Sequence, residues 1–307
     1  MTIAVYGEAL VDDYTTEQIV GGAPFNVARH LAAFMAPQLM ITRIGSDKLG
    51  AVVRAEFERF AMSERGLQVD KMEETGRVVV ERAGAGHRFV ILPGQAYDFI
   101  SAEAALAALA EVSPTAFYFG TLAQRAERSR DTLHQLLAAC TATRFLDLNL
   151  RPGQVDQACV LRSMDAADIV KVNEEELQAL FAWYFGIDPA APALGADEVR
   201  AACGALLDKF SLQALIVTLG HRGSVYFGAD GAFIAKRDTP APPYVIDTVG
   251  AGDAFAAIFL LGRARGWALE TTLTRANEFA GAVCAIPGAV PRDMGFYDKW
   301  VARWRAA

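Results

Sequence analysis

A chain of 307 residues, 53% of them hydrophobic, can bury one large core, and one main domain is the expectation. A formal charge of −7 and a pI near 5.2 leave no basic face for a nucleic-acid backbone or an anionic membrane. Four dispersed cysteines without a CxxC pair, and four dispersed histidines, offer neither a disulfide framework nor a transition-metal site; reduced thiols in a cytoplasmic protein are expected. At the N-terminus, "MTIAVYGEAL" has no basic leader, and the longest apolar runs are about half the ~20 residues of a membrane span. No signal peptide and no membrane partner are expected. "TIAVYG" reads as a strand, "PFNVARHLAAF" as a helix with Pro24 in its first turn, and "LMITRIG" as a second strand. A further helix carries Leu49, Val52, Val53, Phe57 and Phe60 as an apolar stripe. From 75 to 93, two strand-like runs flank a Gly-rich turn around Gly84 and Gly86, which predicts an antiparallel hairpin inserted as a lid. Strands are predicted at 116–122, 144–150, 168–172 and 214–220, with helical stretches between most of them, a surface loop at 187–196, and an edge hairpin at 223–237. Apolar strands alternating with helices predict a mostly parallel sheet covered on both faces.

The chemistry concentrates in "VIDTVGAGDAF", residues 245–255. Glycines before an apolar helical run let the backbone turn tightly, and the free amides at a helix start attract phosphate oxygens. Asp253 in that first turn would repel a phosphate, unless it faces an incoming hydroxyl and accepts its proton as a phosphoryl group transfers. The plainer alternative is an acid that complements the helix dipole. Asn173 and Glu176 have their own rival reading, since Asn-x-x-Glu is a capping box. Arg151 reads either as a surface cation or as a group that neutralises charge on a moving phosphoryl group.

"DTVGAGDAF" resembles the C-terminal signature of the ribokinase-like (PfkB) carbohydrate kinases, and "GGAPFNVARHLAAF" at 21–34 resembles the N-terminal one. "RIGSDKLG", "DLNLRP", "NEEE" and "VTLGHRGS" follow between them in the family's order, so the resemblance covers nearly the whole chain. It implies a three-layer α/β/α sandwich with a mostly parallel central sheet and a small β lid. It also implies one kinase domain over 1–307, with lid elements at about 13–20 and 75–93. The implied activity is ATP-dependent phosphorylation of a sugar hydroxyl, with Asp253 as general base and the Gly250, Ala251, Gly252 and Asp253 amides as an anion hole. Asp12, Gly22 and Asn26 are implied sugar contacts, and Arg151 an implied catalytic cation. On the nucleotide side the resemblance places Asn173, Thr218, Gly220 and Asn277, with Glu176 holding Mg2+ through water and Asp247 binding a monovalent cation such as K+. "GGAP", "FNVA" and "DLNLR" look most like the fructokinase branch, whose acceptor is a hexose or close relative. A nucleoside or sugar-acid kinase and a non-catalytic sensing protein are the alternatives; the lid lacks a basic cluster, and the base and anion-hole glycines are all present. His87, Arg88, Gln95, Tyr97 and Asp98 read equally as substrate contacts or as hairpin and loop residues. An aspartate of ordinary pKa, about 3.9, is a weak base for an alcohol, so water exclusion by the lid is expected to matter. A homodimer through exposed lid strands is a further expectation.

Overall fold

The computed structural model describes residues 1–14, 17–83, 86–187, 195–237 and 244–305. In chain order the strands are β1 (Thr2–Tyr6), β2 (Leu10–Asp13), β3 (Gln18–Gly21), β4 (Gln38–Gly45), β5 (Leu67–Asp70), β6 (Gly76–Ala83) and β7 (Gly86–Ile91). They continue with β8 (Pro114–Phe119), β9 (Thr143–Asp147), β10 (Ile169–Asn173), β11 (Ala214–Thr218), β12 (Ser224–Gly228) and β13 (Phe233–Lys236). The helices are α1 (Ala23–Ala33), α2 (Lys48–Arg59), α3 (Ala102–Ala110), α4 (Glu127–Ala139), α5 (Gln157–Asp165) and α6 (Glu174–Phe185). After them come α7 (Ala196–Lys209), α8 (Ala251–Ala264), α9 (Leu269–Val283) and α10 (Gly295–Arg305).

Nine strands form the large sheet in the order β13-β12-β11-β10-β9-β8-β1-β4-β5. The run from β5 to β11 is parallel throughout, and only the edge hairpin β12–β13 is antiparallel. Strand alternation explains why it is covered on both sides. In β1, Ala4 and Tyr6 join the core that includes Leu109, Leu136, Val160, Leu180 and Leu206, from α3 to α7. Ile3 and Val5 face the other core, with Phe25, Phe57, Phe259, Phe279 and Trp304 from α1, α2, α8, α9 and α10. These are the three expected layers.

The small sheet has the order β3-β2-β6-β7. The expected lid hairpin is its β6–β7 half, whose turn at 84–85 lies outside the described residues. The sheet is mixed, because β2 pairs parallel with β6 and antiparallel with β3. The loop expected at 187–196 falls at 188–194 outside the described residues. One core expectation is corrected: Val52 is 37% exposed, while Val53 and Phe57 are buried. Adjacent helical residues point about 100° apart, and Val52 falls outside the buried arc that holds Val53 and Phe57.

Candidate active site

The chain enters the large sheet at β1, builds outward to β4 and β5, and returns to β8 on the other side of β1. Such a reversal opens a crevice at the carboxyl ends of the strands. A cavity of about 1000 Å³ occupies that end. Around it the fold gathers the site residues that the resemblance implies: Asp12, Gly22, Asn26, Arg151, Asn173, Glu176, Thr218, Gly220, Asp247, Gly250, Ala251, Gly252, Asp253 and Asn277.

Gly250 is the N-cap of α8 with φ 77°, a left-handed turn that places the following amides at the cavity. A Cβ at this position would lie 2.3 Å from Ala289 Cβ and 2.5 Å from Ala289 Cα. Gly250→Ala is expected to cost about 1–3 kcal/mol of stability through this overlap and the strained φ. Urea denaturation reads the loss, and an unchanged midpoint would show that the turn absorbs a side chain. Helix geometry leaves the amides of Gly252 and Asp253 without intrahelical acceptors. Two distant segments meet here: Asn26 Nδ2 donates to Asp253 Oδ2 at 2.7 Å, across 227 positions of chain. Arg29 donates in turn to Asn26 Oδ1 at 2.6 Å and pairs with Glu56 at 2.6 Å, so the amide's orientation is fixed from behind.

Burial raises the Asp253 carboxyl to about 6, with Asp147 adding to the rise, while Asn26, Lys171 and Arg151 oppose it. The expectation of an ordinary aspartate is corrected: low dielectric disfavours the charged form more than its partners favour it. Asp12 is likewise raised to about 6 by burial, against Arg151 and Arg29. Arg151 itself is exposed at the rim.

Asp247 accepts from the Val249 amide at 3.0 Å and the Gly288 amide at 3.2 Å, which ties the turn before α8 to the chain after α9. The capping box is real: Asn173 Oδ1 accepts from the Glu176 amide at 2.9 Å, and Glu176 Oε2 from the Asn173 amide at 2.8 Å. Glu176 also faces the cavity, with Oε1 accepting from the Leu150 amide at 2.8 Å. Both roles foreseen for the motif are thus compatible. Thr218 Oγ1 donates to the Val172 carbonyl at 3.3 Å, and Asn277 Nδ2 to the Lys236 carbonyl at 3.3 Å. Gly220 turns with φ 57°.

A family model described as pfkB family carbohydrate kinase matches residues 2–293. The chain belongs to that family. The kinase is 28% identical over 284 residues to a fructokinase of Klebsiella pneumoniae, covering 85% of this chain and 84% of that one. Among solved structures, a Xylella fastidiosa fructokinase with bound ATP superposes with a TM-score of 0.81 at 20% identity, over 100% of this chain and 99% of that chain. An aminoimidazole riboside kinase from Salmonella enterica gives 0.77 at 22% identity, over 99% of each chain. The protein is an ATP-dependent phosphotransferase of the carbohydrate-kinase class, with its fold shared by both neighbours.

Other groups in the kinase's cavity escaped the sequence reading. Lys171 Nζ pairs with Asp147 at 2.9 Å, both side chains nearly sealed at 5% and 2% exposure. Burial pulls the Lys171 ammonium down, but Asp147, Glu176 and Asp253 outweigh it and hold it above its ordinary value. The signal was available: a lysine in "DIVKV" and an aspartate in "DLNL" interrupt apolar strands buried on both faces, which requires a partner. Glu8 was also missed. Conversely, Gln95, Tyr97 and Asp98 do not line the cavity. Asp98 pairs with Arg125 at 2.7 Å and Tyr97 is fully buried in the core, so the packing beneath the small sheet claims them. Side chains of His87 and Arg88 lie outside the described residues.

A direct metal cage is absent among the described residues, where no three His, Cys, Asp or Glu side chains stand together. Each Glu176 oxygen accepts one amide and keeps a second lone pair. That donor set fits a hydrated Mg2+, which keeps its waters and needs few protein ligands.

Proposed function

We propose that this kinase transfers the γ-phosphoryl group of ATP to a hydroxyl of a neutral sugar, fructose or a related ketose, with Asp253 as general base. The observation that carries the reading is the Asn26–Asp253 hydrogen bond, which joins the two signature segments beside an amide-rich helix start. Asp12 and Asn26 hold sugar hydroxyls, and Gly22 lets the chain come close to the ring. Asp253 takes the proton of the attacking hydroxyl as its oxygen bonds to the γ-phosphorus. The bond to the β–γ bridging oxygen breaks, and ADP leaves. Amides of Gly250 to Asp253 and the Arg151 guanidinium stabilise the charge on the moving group; one such donor is worth about 10²–10³ in rate. Thr218, Gly220 and Asn277 flank the nucleotide. Asn173 and Glu176 hold hydrated Mg2+, which supplies charge neutralisation on the phosphates when bound. Asp247 contributes a carboxylate to a monovalent cation, K+ in this reading, beside the anion hole. The small sheet, carried on the same domain, closes over the sugar and excludes water. Its edge strands β3 and β7 are where a second copy would pair.

Magnesium-dependent ATP consumption across hexoses, ribosides and sugar acids tests the acceptor. Saturable turnover of fructose supports the proposal. Preference for a riboside would reassign the acceptor pocket, a second reading favoured by the likeness to the aminoimidazole riboside kinase. Turnover of a sugar acid alone would overturn the neutral-sugar assignment.

A further inference from the structure

One buried cavity residue without a task in that scheme is Glu8. It follows Gly7 in the loop between β1 and β2, where the strand order reverses, and is only 3% exposed. Its backbone carbonyl lies against the sugar-side turn, since a Cβ on Gly22 would come within 2.5 Å of it. Burial pushes the Glu8 carboxyl up to about 7 and Asp253 adds to the rise, while its own backbone amide, the Arg151 guanidinium and the Ala23 amide oppose it. Tyr97, Tyr118 and Arg125 also lie within its electrostatic reach. Yet Glu8 Oε2, enclosed by the protein, meets no donor. Buried polar atoms are normally satisfied, so an orphaned oxygen on the wall of a ligand cavity indicates that a ligand supplies the partner.

We propose that Glu8 is a specificity-determining residue of the acceptor site, its free carboxyl oxygen hydrogen-bonding a hydroxyl of the bound neutral sugar. This rests on the sugar-kinase reading above and extends it. Glu8, Asp12 and Asp253 line the same cavity, with Arg151 the arginine among its lining residues. Hydroxyls can donate to all three carboxyl groups, whereas an acceptor carrying its own carboxylate or phosphate is repelled.

The test measures kcat/KM for the acceptor that the wild-type enzyme turns over, and for its monodeoxy analogues, on wild type, Glu8→Gln and Glu8→Met. In wild type, removing the hydroxyl that meets Glu8 lowers kcat/KM on the order of 10–100-fold. In Glu8→Met that single penalty shrinks to within about threefold, the penalties at other hydroxyls persist, and the KM for ATP is unchanged. Identical penalties in wild type and Glu8→Met overturn the proposal, because no acceptor hydroxyl then depends on Oε2. Should Glu8→Met not fold, Glu8→Gln decides. An acceptor KM raised at least about fivefold with kcat within about twofold supports the role, and an unchanged acceptor KM overturns it. Asp253→Asn run in parallel separates the two readings: retained turnover sinks the assignment of the base, while the hydroxyl penalties still judge Glu8.

Discussion

Asp253→Asn is expected to lower turnover by at least ~100-fold while ATP binding survives, since the amide keeps the side chain's shape but cannot take a proton. Asp253 is the third residue of α8, where the surrounding amides attract phosphate oxygens and a permanent anion would repel them. Its elevated carboxyl reconciles the two demands. With the group pushed up to about 6 by burial and by Asp147, proton transfer from an alcohol is less uphill than for an ordinary aspartate. The sign of the pH dependence follows. A general base must be deprotonated, so kcat/KM falls about tenfold per pH unit below the folded-state value near 6, and levels off above it. Asn26 donates to the charged form and lowers the value, so Asn26→Ala moves the acidic limb to higher pH. A limb that stays near pH 4 in wild type, or an Asp253→Asn enzyme with near-normal turnover, counts against Asp253 as the base.

Lys171→Met is expected to destabilise the fold by about 3–5 kcal/mol, because it strands a buried carboxylate. Along β10, Val170 and Val172 face the α3–α7 core, so Lys171 points the other way, towards α8. Asp147 sits opposite it in the β9–β10 register, and their bonds of 2.9 and 3.0 Å use both carboxylate oxygens. Without the ammonium, the remaining side-chain partner of Asp147 is the Tyr118 hydroxyl at 3.3 Å. Chemical denaturation of the single variant, and of Lys171→Met with Asp147→Leu, separates pairing from burial. Most of the loss should return in the double variant, because replacing both charges removes the desolvation cost as well as the attraction. A single variant within about 1 kcal/mol of wild type would show that water reaches Asp147 and screens it. The pair also borders the anion hole: a Cβ added to Gly252 would lie 3.2 Å from Lys171 Nζ. A double variant that is stable but slow would therefore assign Lys171 an electrostatic part in the site as well.

The sequence carries the layered α/β architecture, because apolar strands buried on both faces and amphipathic helices have distinct periods that are local properties of the chain. It also determined which motifs meet: "GGAPFN" and "GAGD" name their chemistry through glycine spacing and polar residue type, and the fold brings both to one cavity. The α2 stripe shows the limit of local reading, since helical period admits either Val52 or Val53 to the core and packing against Phe25 and Phe57 selects Val53. The electrostatics arise only in the folded chain. Asp253 and Asp12 are ordinary aspartates until burial removes water from them, and their opposing partners Asn26, Arg29, Arg151 and Lys171 arrive from other parts of the chain. Lys171 and Asp147 were visible as charges in apolar strands, but their pairing required the register of two parallel strands joined through a crossover helix. Glu8 lay furthest out of reach. A glutamate in a short loop carries no local signal, and its unmet oxygen is buried only once the strand order reverses beside it and the Gly22 turn packs against its backbone. Local chain chemistry specifies elements and motif identity, whereas desolvation and charge coupling fall off with distance in space, and only the fold sets those distances.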